Sequence, residues 1–290
     1  MKSFCLKTNN QEIINYLLKR LENSSIEDIY FINKKFKCYQ NVIVHYKGTN
    51  LYSFLGILSD ILTDCILLFF EPILIKRIIT CEYFYFDELE KKLIENNCYE
   101  YILSEENSTL KYRKNEIWTS VISYINENKS VIIDGFVSFR LENYSKTLDE
   151  IVDFCVKEYV IEKEYNEFIN LLQIYINSKQ PISSLIHLVY TNGESILLDE
   201  NKNIINLQNS NFDAKYLSDI SFSSNDYALN ALLTLLPKKI ELHLISYSDE
   251  FVDTLKLIFG DKLSICTDCN ICRTYRVLNN VNLKNILDTN

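Results

Sequence analysis

Three cysteines within seven residues, Cys266-x2-Cys269-x2-Cys272, are the densest concentration of chemistry in the chain. A two-residue spacing lets neighbouring thiolates curl around one ion or one cluster. Two such spacings in series set three sulfurs on one tight loop. Iron–sulfur clusters use this spacing, normally with a fourth cysteine. Zinc accepts three cysteines with a histidine or a fourth cysteine. No fourth ligand is adjacent in sequence. It must come from elsewhere in the fold or from a second chain, or the position stays open. His187, in Leu185-Ile-His-Leu-Val189, and His243, in Glu241-Leu-His-Leu-Ile245, lie in the same third of the chain. His187 is the first choice and His243 the second; His45 is remote. Without a metal, Cys269 and Cys272 form a redox Cys-x-x-Cys pair, with Arg273 and Arg276 favouring thiolate. A third reading makes the cysteines incidental to a non-catalytic interaction protein that docks an unidentified protein partner through the acidic helix Leu148–Ile176.

Other chemistry is thinner. Glu158, Glu162, Glu164 and Glu167 crowd one helical stretch, and Glu158 and Glu162 stand four apart. Di-metal bundles need Glu-x-x-His on facing helices, which this chain lacks, so a solvated helix face is expected. Five well-separated glycines leave no Walker loop and no Gly-x-Gly-x-x-Gly turn, and no Gly-x-Ser-x-Gly elbow occurs. No catalytic residue and no reaction follow from the sequence.

The elements that must position the cysteines are legible from periodicity. Lys2–Lys7 reads as a strand and Gln11–Leu21 as an amphipathic helix, with Ile13, Ile14, Leu17, Leu18 and Leu21 on one face. Ile29–Asn33 and Lys35–Tyr46 read as strands. Leu51–Glu95 reads as mostly helical, interrupted near Pro72. Polar Ser104–Asn115 marks a boundary, and Glu116–Asn126 reads as a helix. Val131–Phe139 fits either a strand or the lead into a helix. Leu148–Ile176 is a long helix, ended by Pro181. In the last third, Ser184–Tyr190 and Ser195–Asp199 form a hairpin across Asn192-Gly193. Asp226–Leu236 is a helix, Ile240–Ser246 a strand, Asp249–Phe259 a helix capped by Gly260, and Leu263–Cys266 a last short strand. The order β-β-(β)-α-β-α-β implies a sheet with helices packed on it. The fold class expected is α/β (mixed α+β), with an N-terminal mixed α/β region (1–105), a central helical region (116–180) and a C-terminal α/β region (181–290) carrying the cysteines. The cluster then begins where the last strand ends, and sites in open α/β sheets favour the carboxyl ends of strands.

Composition sets the outer limits. The 290 residues carry 47% hydrophobic and 24% charged side chains, a globular balance. A net charge of −9 repels phosphate backbones and argues against nucleic acid as a partner. Met1–Leu6 is too short and polar for a secretion signal. Nine cysteines without such a signal imply a reducing, cytoplasmic setting. In the apolar stretch Leu51–Ile79, Asp60, Asp64, Glu71, Pro72, Lys76 and Arg77 interrupt the run, so a buried helix or helix pair is expected and no transmembrane segment.

Phe139-Arg-Leu-Glu-Asn-Tyr144, Glu158-Tyr-Val-Ile-Glu-Lys-Glu-Tyr-Asn-Glu-Phe-Ile-Asn-Leu-Leu172, Ile186-His-Leu188 and the tail from Ile265 through Cys272 together resemble the sporulation protein YtxC family of endospore-forming bacteria. The resemblance covers roughly the second half of the chain. It implies a cytoplasmic protein connected with sporulation and supplies no catalytic residues.

Overall fold

The computed structural model describes residues 2–24, 28–36, 38–104, 109–205 and 223–287, the side chains of 279–287 excepted. They form a mixed α/β protein of two compact units, residues 1–161 and 162–290.

The first unit opens with β1 (Lys2–Thr8), α1 (Gln11–Glu22), β2 (Ile29–Phe36) and β3 (Tyr39–Tyr46). Helices α2 (Leu51–Phe69), α3 (Glu71–Glu82), α4 (Glu88–Leu103) and α5 (Thr109–Glu127) follow, then β4 (Ser130–Ile132), α6 (Ile133–Arg140) and the start of α7 (Glu142–Ser178). The strands lie in the order β2-β3-β1-β4, with β4 parallel to β1. One core joins Leu6 of β1, Leu17 of α1, Ile66 of α2, Ile94 of α4, Val121 of α5 and Val152 of α7. Helix α5 begins at Thr109, and its fully buried Arg113 pairs with Glu71 of α3.

The apolar stretch is a helix pair, broken at Phe70 with Pro72 in the first turn of α3, where a missing N–H costs nothing. By length and composition α2 is apolar enough to cross a membrane, and half of its window is buried within the protein. Glu71 at the start of α3 accepts from buried Arg113 and, at 2.5 Å, from the Tyr144 hydroxyl. Arg113 also donates to the Ile102 carbonyl, so one buried ion pair ties α3, α4, α5 and α7 together.

The second unit begins within α7 and carries β5 (Leu185–Thr191), β6 (Glu194–Leu198), α8 (Ser224–Leu235), β7 (Lys239–Leu244), α9 (Glu250–Phe259), a single 3-10 turn (Gly260–Lys262), β8 (Leu263–Cys266) and α10 (Asn270–Leu287). The hairpin β5–β6 turns on Asn192 and Gly193, both at positive φ (51° and 81°), the backbone that dipeptide favours. Strand order is β6-β5-β7-β8, with β5, β7 and β8 parallel. Pleating puts Ile186, Leu188, Tyr190, Ile240 and Leu242 on one face, where they form a core with Ile169 and Ile176 of α7, Leu232 of α8 and Val252 and Leu255 of α9. The opposite face of β5, β7 and β8 therefore carries His187, Val189, Glu241, His243 and Cys266. Residues 206–222, where the optional third strand would fall, lie outside the described residues.

Candidate metal centre

Register decides which histidine meets the cysteines. On β7, His243 is the direct partner of Cys266 on β8. Paired residues point to the same face, so the imidazole and the first thiol of the cluster stand side by side. After Cys266 the chain bends through Thr267 and Asp268 and re-enters helix at Asn270, with the Arg273 amide closing on the Cys269 carbonyl at 2.9 Å. Cys269 is thus the N-cap of α10, and Cys272 lies in its first turn. Arg273 clamps the Asp268 carboxylate at 3.0 and 3.2 Å, and Arg276 donates to the Thr267 carbonyl at 2.6 Å. Both arginines hold the loop in shape.

The four donors converge. Cys269 Sγ lies 3.7 Å from Cys272 Sγ, and Cys272 Sγ lies 3.9 Å from Cys266 Sγ. His243 Nδ1 is 3.3 Å from Cys269 Sγ and 3.5 Å from Cys272 Sγ. All four donor atoms lie within 4.8 Å of one another. Bonds of about 2.3 Å to sulfur and about 2.05 Å to nitrogen at tetrahedral angles give edges of about 3.8 Å between sulfurs and about 3.6 Å between sulfur and nitrogen. The arrangement can therefore hold one metal ion. His243 and Cys272 are buried; Cys266 and Cys269 are partly exposed.

The donors differ in their electrostatics. Burial pushes the Cys269 thiol up, but hydrogen bonds from the Cys272 and Ile271 amides and from the neighbouring thiols outweigh it, leaving the thiol below its ordinary range. Burial pushes Cys272 up to about 11. Burial, followed by the adjacent His187, holds His243 below the ordinary imidazole range, which favours the neutral form that ligates.

His187, the first-choice fourth ligand by sequence, stands elsewhere. It pairs in register with Glu241, one strand further from β8 and one pleat back from His243. Its Nδ1 lies 3.0 Å from His243 Nε2, behind the imidazole that faces the sulfurs. The second choice, His243, takes the place beside them because β7, not β5, borders β8. Glu241, with Oε2 at 3.2 Å from His187 Nδ1, escaped the sequence reading. Its signal was present: on a strand with Ile240 and Leu242 facing the core, Glu241 and His243 share the other side. His45, on β3 in the first unit, accepts from or donates to Ser3 at 2.7 Å. Glu158, Glu162, Glu164 and Glu167 belong to α7, where Lys163 and Glu167 pair at 4.0 Å.

Comparison with known proteins places this geometry in context. Residues 56–264 match the YtxC-like family. The chain is 25% identical over 215 residues to a Bacillus subtilis (strain 168) protein named "Uncharacterized protein YtxC", covering 68% of this chain and 76% of the relative. No solved structure matches. The family match includes His187, Glu241 and His243 and ends ahead of Cys266.

Proposed function

The chain belongs to the YtxC-like family, and from that premise we propose that it binds one zinc ion through His243, Cys266, Cys269 and Cys272. The site is a closed, structural one that fastens β8 and α10 to β7. The observation that carries the reading is the agreement of the S···S and S···N edges with one tetrahedral ion. Four protein donors leave no position for substrate, so the role is to hold the fold, as in other sites of three cysteines and a histidine. An iron–sulfur cluster fits less well. In a [4Fe–4S] cluster each cysteine binds a different iron, and in a [2Fe–2S] cluster the four ligands divide between two irons, which spreads the donors, whereas four donors within 4.8 Å and sulfur separations of 3.7 and 3.9 Å suit a shared ion. X-ray absorption at the zinc edge tests this. Three sulfurs at about 2.3 Å and one nitrogen near 2.05 Å are expected; a four-sulfur shell around zinc, or an iron edge with an iron–iron scatterer in place of the zinc edge, contradicts the reading.

A second reading has one observation in its favour. Cys269 at the cap of α10 and buried Cys272 one turn on reproduce the arrangement of a redox Cys-x-x-Cys pair. It requires a metal-free protein that interconverts between two thiols and a disulfide. Thiol counting before and after exposure to oxidised glutathione decides it. The setting proposed is the cytoplasm of a sporulating cell, supported by the family resemblance and by nine unpaired cysteines. Counts of heat-resistant spores from a strain lacking the gene should fall, and unchanged counts contradict that setting.

A further inference from the structure

Behind the sulfur cluster, three side chains share one face of the central strands β5 and β7: His243, His187 and Glu241. His187 Nδ1 is 3.0 Å from His243 Nε2 and 3.2 Å from Glu241 Oε2. His187 is 6% exposed and His243 1% exposed. Two imidazoles so deeply buried need hydrogen-bonding partners for their nitrogens. We propose that His187 and Glu241 are positioning residues for a metal ligand, fixing His243 so that Nδ1 faces the three sulfurs. The proposal rests on the zinc reading above.

The chemistry runs outward from the ion. A ligating imidazole binds through the nitrogen without hydrogen, and the other nitrogen donates to a fixed acceptor, which sets ring orientation and ligand strength. With His243 Nδ1 at 3.3 and 3.5 Å from two sulfurs, its hydrogen belongs on Nε2, where the acceptor within reach is His187 Nδ1. Glu241 Oε2 stands 3.2 Å from that same His187 nitrogen, which has no hydrogen to give it while accepting from His243; the carboxylate acts through its negative charge, which strengthens the pull of the acceptor on the His243 Nε2–H. The ligand nitrogen thereby becomes more electron-rich. Register enforces the line: His187 pairs with Glu241, and Glu241 precedes His243 by two on β7.

The test uses the full chain, loaded with zinc or with cobalt(II) as the spectroscopic probe. Chelator competition should show His187→Ala binding zinc about 10- to 100-fold more weakly than wild type. The visible cobalt bands should shift as the nitrogen donor weakens. His187→Asn sets an amide oxygen near the former Nδ1 and should recover most of the affinity and the original spectrum. Glu241→Gln, at the partly exposed end of the line, should give a smaller loss in the same direction and keeps the test valid if His187→Ala does not fold. Wild-type affinity and an unchanged cobalt spectrum in folded His187→Ala and in Glu241→Gln overturn the proposal while leaving the zinc site standing. Two ions per wild-type chain also overturn it, since His187, Glu241 and His243 would then be ligands of a second ion. A wild-type chain that binds no metal overturns both the proposal and the reading beneath it.

Discussion

Withdrawing the metal should loosen the last strand of the second unit before anything else. β8 is only four residues long and, among the described residues, pairs with β7 alone. Of its side chains Leu263 is half-buried against the core and Ile265 is 47% exposed. Half-burying one leucine contributes on the order of 1 kcal/mol. The first turn of α10 adds buried Cys272. Such a segment opens readily by itself. Free zinc at 100 times its dissociation constant stabilises the closed form by about 2.7 kcal/mol, which lowers the open population about 100-fold. Hydrogen exchange read by mass spectrometry should therefore slow about 100-fold across residues 263–272 when zinc is added to chelated protein, following that same mass-action relation. In His243→Ala the same zinc should change little. Equal exchange with and without zinc, in a chain that binds zinc, refutes the idea that the ion fastens β8 and α10.

Two further outcomes follow from the first and second units respectively. Glu71→Ala strands a fully buried Arg113 charge, which costs about 3–5 kcal/mol and should lower the urea midpoint by about 1.5–2.5 M; the double variant Glu71→Leu/Arg113→Met should recover most of it, and a midpoint within about 0.5 M of wild type for Glu71→Ala contradicts the ion-pair account. Asp226, the capping-box partner of Ser223, is held below its ordinary value near 3.8 by the Ser223 amide and hydroxyl. A depressed folded-state carboxyl contributes stability above its unfolded value and loses it as pH falls through the lower folded one, so Asp226→Asn should flatten the stability-against-pH curve below about pH 4; an unaltered slope contradicts the capping role.

Local periodicity made most elements legible. Gln11–Leu21 and Leu263–Cys266 stand nearly or fully as expected from alternation and helical spacing. The misses have physical causes. The strand expected over Lys35–Tyr46 is divided: Lys35 and Phe36 end β2, β3 starts at Tyr39 and pairs antiparallel with it, and no glycine or asparagine in the sequence marks the break. Helix α10 carries an apolar stripe at Ile271, Tyr275 and Leu278, but its start lacks the usual signal, since its N-cap is a cysteine sulfur instead of Ser, Thr, Asp or Asn. The cysteines declared themselves by spacing alone. The choice between His187 and His243 did not, because it depends on strand order. Sequence shows two strand histidines 56 residues apart in equivalent surroundings; only the adjacency of β7 to β8 makes one the ligand candidate and leaves the other behind it.

The most direct measurement is the metal content of anaerobically purified full-length protein, taken together with its visible spectrum. One zinc per chain is predicted, with a colourless solution, and that zinc should be lost in Cys269→Ser and in His243→Ala. A metal-free chain, or a brown one carrying several irons, contradicts the account.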